Sequence, residues 1–222
     1  SLSSPAINTL YIDRAGLLWV GTERGGVNTI ATKPFLHRHM LGKSLRIGSR
    51  VDGLFADIKG NLWIGAVGIG LWRFDPSTQK STHVLPELAN EICQDNTGAF
   101  FISTIDGVTR HDPKTGTSTV VWRVPIRHGS QEQISRMLLD SRGYLWIGTT
   151  GSLYRVGDDM KERSVFVHDP QDYHSMTAGQ VNSILEDRSG NIWVGTAEVL
   201  NRFGRGGNCS HDSFMTGKTL QA

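Results

Sequence analysis

The stretch Val181–Thr196, VNSILEDRSGNIWVGT, reads as two β-strands and the turn that joins them. Val181 to Glu186 is a mostly apolar extended run. Asp187 opens a four-residue turn in which its side chain accepts backbone N–H bonds, and Gly190 takes the positive φ that closes the hairpin. Ile192-Trp193-Val194-Gly195-Thr196 then has the aromatic and β-branched content of a second strand.

The same reading recurs along the 222 residues. DRAGLLWVGT starts at Asp13, DIKGNLWIGA at Asp57, DNTGAFFIST at Asp95 and DSRGYLWIGT at Asp140, so the motif returns every 38 to 47 residues. Each Asp has Gly three residues later and an aromatic six residues later: Trp19, Trp63, Phe101, Trp146 and Trp193. First strands precede it at 7–12, 51–56, 89–94, 134–139 and 181–186. Third strands follow at 26–30, 70–74, 107–111, 151–155 and 199–203. Fourth strands are faint, clearest at Ser118–Trp122 and Ser164–Val167. Repetition of a four-stranded unit at this period predicts an all-β propeller. A β-helix repeats at about half this length or less, and a sandwich does not repeat its sequence. Five blades are placed at about 1–44, 45–82, 83–127, 128–174 and 175–203, leaving 204–222 unassigned.

The repeated residues read as structural. Inner strands packed on both faces should be nearly continuous in apolar side chains, as Leu10-Tyr11-Ile12 and Met137-Leu138-Leu139 are. The repeated Trp is expected to wedge between blades, where an aromatic buries on the order of 150–250 Å². The repeated Asp is expected to form the turn.

A formal charge of +2, from 23 basic and 21 acidic residues spread along the chain, offers no basic patch for nucleic acid or an anionic membrane. No apolar run approaches the roughly 20 residues of a membrane helix. Cys93 and Cys209 lie in dissimilar settings, and two cysteines do not make a disulfide scaffold.

The pattern resembles the two-component regulator propeller repeat, whose consensus runs roughly V-x-x-I-x-x-D-x-x-G-x-L-W-V-G-T and then G-G-L-x-R-F-D-P. VNSILEDRSGNIWVGT from Val181, with LNRF from Leu200, and INTLYIDRAGLLWVGT from Ile7 are the best copies. The linkers SLSSPAI and HDPQDYHSMTAGQV also resemble those of that family. Phe101 and Ser103 in the third blade, Ala66 in the second and Ala197-Glu198 in the fifth depart from it. The resemblance implies the extracytoplasmic, periplasmic sensor of a bacterial inner-membrane receptor, a histidine or hybrid kinase or a diguanylate cyclase. It further implies a propeller of about seven blades, of which this chain holds five. The remaining blades and an output domain are then its partners. End blades without neighbours would expose apolar faces, so the chain by itself is expected to be poorly soluble or oligomeric.

Function is expected where unrepeated loops meet. Loops that lead into first strands, and those joining second to third strands, gather on one face of a propeller. They carry Glu23, Arg24, Arg50, Asp52, Asp106, Arg127, His128, His174 and Glu198, with a polar position five residues before each repeated Asp: Asn8, Asp52, Asn90, Ser135 and Asn182. A small polar ligand such as an oligosaccharide fits such groups, and ordered water in a channel fits the ring equally. His111-Asp112-Pro113 and His168-Asp169-Pro170 read as turns rather than metal sites, and the glycines of Gly65–Gly70 lead into a strand rather than a helix. No cofactor, metal or catalytic residue is expected, so the chain is read as a non-catalytic sensor. An interaction scaffold without a small ligand is the alternative. A propeller lyase or glycosidase would need an acid/base group at the channel mouth, for which His128, His174 and Glu198 are the candidates.

Overall fold

The computed structural model describes residues 5–12, 17–31, 37–40, 50–57, 59–66, 68–86, 91–127, 130–157, 159–172, 174–197, 199–204 and 209–212. Five four-stranded antiparallel sheets follow one another as blades, each meandering outward from its first strand to its fourth. The first blade is β1 (Ile7–Ile12), β2 (Leu17–Thr22), β3 (Val27–Ala31) and β4 (His37–Met40); the second is β5 (Val51–Ala56), β6 (Leu62–Ala66), β7 (Gly70–Asp75) and β8 (Lys80–Leu85). The third is β9 (Ile92–Gln94), β10 (Phe100–Thr104), β11 (Gly107–Asp112) and β12 (Thr117–Arg123). A two-stranded hairpin, β13 (Ile126–Arg127) and β14 (Ser130–Gln131), follows it. The fourth blade is β15 (Ile134–Leu139), β16 (Leu145–Thr149), β17 (Ser152–Val156) and β18 (Glu162–Val167). The fifth is β19 (Ser183–Glu186), β20 (Ile192–Gly195), β21 (Leu200–Phe203) and β22 (Cys209–Asp212). The strand β22 completes the fifth blade from a stretch to which the sequence pattern assigns no element.

The chain forms two compact units, Ser1–Val121 with the first three blades and Trp122–Ala222 with the last two. Within the first unit the first strands β1, β5 and β9 run side by side, and within the second β15 lies beside β19. Each unit has its core between blades. Trp19 and Val27 of the first blade pack on Val51, Leu62, Ile64 and Phe74 of the second, and Trp63 and Leu71 of the second pack on Phe100 and Ile102 of the third. Trp146 and Leu153 of the fourth blade pack on Ile192, Val194 and Phe203 of the fifth. The aromatics meet at a tilt: Trp63 stands 4.2 Å from Phe100 and Trp146 5.9 Å from Phe203, between ring centroids. Trp19, Trp63 and Trp146 are therefore the interblade wedges that the repeat predicts.

Close approach explains the Gly two residues after this Trp. A Cβ on Gly148 would come within 2.4 Å of Val181 Cγ1, so the chain leading into β19 packs this closely on β16 only because the side chain is absent. In the third blade Ser103 takes this position, and its hydroxyl accepts the Glu91 N–H at 2.9 Å.

Candidate functional site

The repeated Asp has one set of partners in blade after blade, and these assign it to the scaffold. Gly60, Gly98, Gly143 and Gly190 all have positive φ, and each donates its N–H to the carbonyl of the Asp three residues earlier at 2.9–3.1 Å. The Asp N–H in turn bonds the carbonyl four residues on, giving the turn-plus-bulge that reverses a twisted hairpin. Oδ1 accepts two further backbone N–H groups, as in Arg142 N and Tyr144 N to Asp140 at 2.9 Å each. Oδ2 accepts the indole N–H of the repeated Trp: Trp63 to Asp57 at 3.0 Å, Trp146 to Asp140 at 2.9 Å and Trp193 to Asp187 at 2.9 Å. In the third blade Phe101 has no N–H to give, and Arg110 Nη2 donates to Asp95 Oδ2 at 3.2 Å in its place. The Trp193 indole, with Asn191 and backbone amides, holds the Asp187 carboxyl well below the usual carboxylate range. The indole bond to a residue six positions away is invisible to a pattern of spacings, although the spacing it requires is what repeats.

At the end of the blades where first strands begin, the structure brings together three of the residues that the sequence singles out. Arg50, just ahead of β5, pairs with Asp52 in β5: Nη2 lies 2.7 Å from Oδ2, and Nε lies 2.9 and 2.8 Å from the two oxygens. The bond to Asp52, and then the charge of Glu23 in the β2–β3 turn of the preceding blade, favour the charged guanidinium further. Glu23 N is tied to Ala6 O at 3.0 Å, so this turn is fixed beside the chain that leads into β1. Arg50 is more than half exposed, so the pair contributes at most about 1 kcal/mol to folding and keeps its outer face in solvent. Arg24 is exposed in the same β2–β3 turn, and Asp106 is exposed in the corresponding β10–β11 turn.

The other expected residues distribute differently. The backbone of Arg127 ends β13, paired with Ser130. His128 and Glu198 lie outside the described residues, as does Asn90. His174 is exposed, but it sits in the turn between β18 and β19, its N–H on Asp172 Oδ1 at 2.9 Å. It lines a groove of about 810 Å³ with Val165 and Val167 of β18, Asp172, Met176 and Cys209 of β22, against the outermost strands rather than the first ones. Burial, and then the charge of Asp172, push the Cys209 thiol up to about 11, which disfavours the thiolate at neutral pH.

The polar position five residues before the repeated Asp has a cause that the repeat does not reveal. In β1, β5 and β15 the register against the second strand skips this residue, Asn8, Asp52 and Ser135 respectively, so each occupies a β-bulge. Asn8 and Asn182 are exposed. Ser135 is buried, with its hydroxyl 2.7 Å from Val181 O and 3.2 Å from Gly148 O, and it ties the fourth blade to the fifth rather than facing solvent.

One polar cluster has no signal in the sequence. Glu132, in the connection leading into β15, accepts hydroxyls from Thr149 at 2.6 Å, Ser152 at 2.7 Å and Tyr154 at 3.2 Å. All three donors are buried, so this carboxylate is consumed in pinning the β16–β17 turn to the start of its blade. The connection is not repeated, and nothing in its composition distinguishes Glu132 from a solvated Glu.

Five such blades define the chain as a β-propeller with its unrepeated side chains on the loops at blade ends. Residues 1–24, 128–151 and 175–198 match the family described as two component regulator propeller, and these matches fall at the starts of the first, fourth and fifth blades. Among solved structures, the chain is similar to the extracellular domain of BT3049 of B. thetaiotaomicron, described as a putative hybrid two component system. The identity is 20%, covering 95% of this chain and 29% of that one, at a TM-score of 0.77. The extracellular domain of BT4673 from the same organism gives 21% identity, 86% and 26% coverage and a TM-score of 0.73. Virginiamycin B lyase from Staphylococcus aureus gives 13% identity, 96% and 71% coverage and a TM-score of 0.74. At these identities the likeness shows the fold, and the chain spans between a quarter and a third of the two receptor domains. No curated protein matches the chain.

Proposed function

We propose that this chain is the ligand-sensing or signal-transmitting, extracytoplasmic propeller of a bacterial two-component or diguanylate cyclase receptor, non-catalytic in this portion. The observation that carries the reading is the match of three blades to two-component regulator propeller repeats, supported by likeness to two extracellular receptor domains. The Glu23–Arg50–Asp52 group with Arg24 and Asp106 is the part of the blade-end surface suited to reading a ligand. It combines exposed guanidinium donors with carboxylate acceptors that keep some surface in solvent, which suits the hydroxyls of an oligosaccharide. A ligand there acts by its differential affinity for two arrangements of the whole receptor, because binding shifts an equilibrium only by that difference.

The test is a thermal-shift and calorimetric titration of the chain against neutral and acidic oligosaccharides, with Arg50→Ala and Asp52→Ala beside it. Ligand-dependent stabilisation of the unsubstituted chain, weakened about tenfold or more by either substitution, is expected. A ligand that binds both variants as well as the parent would move the site elsewhere. A gene that ends shortly after the propeller, with no membrane helix or output domain, would sink the receptor reading and favour a scaffold. The lyase reading is tested by assaying glycan and lactone cleavage by the chain with His128, His174 and Glu198 replaced together.

A further inference from the structure

The groove of about 810 Å³ against β18 and β22, the outer strands of two consecutive blades, has a floor and a rim of opposite character. Its floor is apolar. Val165 and Phe166 of β18 are partly buried, Met176 is 1% exposed, and Cys209 contributes its thiol from the β22 side. Phe166 is held in place by the interblade core, stacked on Trp146 at 5.9 Å and tilted on Phe203 at 4.7 Å between ring centroids. A cavity of this volume has the size of small-molecule sites, and its floor favours hydrocarbon.

The rim is acidic. Asp169 and Asp172 are exposed on the connection from β18 to β19, and each engages one oxygen locally: Asp169 Oδ1 accepts the Gln171 N–H and Asp172 Oδ1 the His174 N–H, at 2.9 Å each. Among the described residues, Oδ2 of neither carboxylate has a hydrogen-bond partner, and no Lys or Arg lines the groove. The arginines of the adjoining third strands are engaged elsewhere. Arg155 donates to Ser164 Oγ at 3.1 Å and lies over the Tyr144 and Trp146 rings, and Arg202 lies over Trp193. The charge of Asp172 also raises the pKa of the Cys209 thiol, so this carboxylate acts on the opposite wall as well as on its own turn.

The hydroxyls of the lining are already donating: Ser175 Oγ to Asp169 O at 3.0 Å and Ser210 Oγ to Arg202 O at 3.4 Å. The open polar positions of the rim are therefore carboxylate acceptors, which select a ligand that donates and is positively charged; an ammonium group has donors and no acceptor. The acidic turn is preorganised, with Asp172 N–H on Asp169 O at 3.1 Å, Ser175 N–H on Asp172 O at 3.0 Å and Asp169 N–H on Ser175 Oγ at 2.9 Å.

We infer that this groove binds an organic ammonium ion with an apolar body, the hydrocarbon lying on Val165, Phe166 and Met176 and the charged nitrogen standing at Asp169 and Asp172. The inference does not rest on the reading of Arg50 and Asp52, and the two sites are tested with different probes.

Ligand-observed NMR titrations of the chain with hexylammonium, hexanol and hexanoate at pH 7 test it, because the three probes share one apolar body and differ in charge. Hexylammonium should bind at least about tenfold more tightly than hexanol, hexanoate should not bind, and added NaCl should weaken the ammonium alone. Asp169→Asn and Asp172→Asn should each weaken hexylammonium about threefold or more and leave hexanol within about twofold. Both positions are exposed, and circular dichroism spectra that match the parent establish that the variants fold. Val167→Lys, at a lining position 39% exposed, supplies a tethered ammonium and should exclude hexylammonium. Hexanol or hexanoate binding as tightly as hexylammonium overturns the inference. So does a chain that binds none of the three, or a hexylammonium affinity that both Asp→Asn variants leave unchanged.

Discussion

Asp140→Asn separates the two duties assigned to the repeated aspartate, turn former and indole acceptor. Asp140 Oδ1 receives the N–H groups of Arg142 and Tyr144 at 2.9 Å each, and the side chain has no exposed surface. Oδ2 receives Trp146 Nε1 at 2.9 Å and Arg142 Nη2 at 3.2 Å. The amide keeps an oxygen for the two backbone donors but sets its NH₂ against the indole N–H of Trp146, itself 1% exposed. A buried donor left without an acceptor costs about 1–3 kcal/mol. Loss of the Arg142 contact adds under about 1 kcal/mol, because that guanidinium is 31% exposed. The expected destabilisation is therefore about 1–4 kcal/mol in urea unfolding, or roughly 2–16 °C in Tm for a chain of this length. In a Trp146→Phe background no indole needs an acceptor, and the same Asn substitution should cost under about 1 kcal/mol, a coupling on the order of 2 kcal/mol in the double-mutant cycle. The third blade already carries the aromatic half of that cycle, with Phe101 in place of Trp and Arg110 on the vacated oxygen of Asp95. An Asn substitution that costs as much in the Trp146→Phe background as beside the native indole would refute the indole bond as a reason for the motif.

Gly148→Ala should destabilise by about 1–3 kcal/mol through the clash with Val181, whereas Gly204→Ala, whose Cβ meets nothing within 4 Å, should stay within about 0.5 kcal/mol; paired melts check both. Burial of His111 lowers its pKa, only partly offset by Asp112, so it contributes stability that is complete above the unfolded value near 6.5 and is lost as pH falls through that value towards the folded one. Melting temperatures at pH 7 and pH 5 should accordingly differ more for the parent than for His111→Gln. With its pKa pushed up to about 11, the Cys209 thiol should alkylate at pH 8 about a hundredfold more slowly than an ordinary thiol in the folded chain, and at an ordinary rate in urea. Equal rates in the two conditions would contradict the burial that raises it.

How much of this can be read beforehand follows from how local each interaction is. The hairpin of strands one and two is legible because Asp, Gly and Trp act within seven residues of one another, so the motif and its geometry share one short window. The outer strands are less legible. Lys80–Leu85 alternates poorly because an edge strand has little to bury, and Cys209–Asp212 follows a Gly-rich stretch with no turn signature of its own. The expected ligand face is legible in part. Glu23, Arg50 and Asp52 follow from loop position, and they converge because a second-to-third-strand turn of one blade stands beside the start of the next. The same rule puts His174 beside the first strand of the blade it leads into. Its turn is instead held against β18 and β22, which no count of residues from a motif could reveal.

The sequence alone determined that the chain is a series of four-stranded blades, because turn chemistry and strand patterning are short-range and are written five times. Only the tertiary structure decided which polar groups remain available. Asp140, Ser135 and Glu132 are equally polar in the sequence, yet hydrogen bonds to an indole, to a carbonyl of the next blade and to three buried hydroxyls commit them to the scaffold. Arg50 and Asp52 keep surface in solvent because their pair stands at the open end of the blades. The difference is burial, which depends on neighbours distant in the chain.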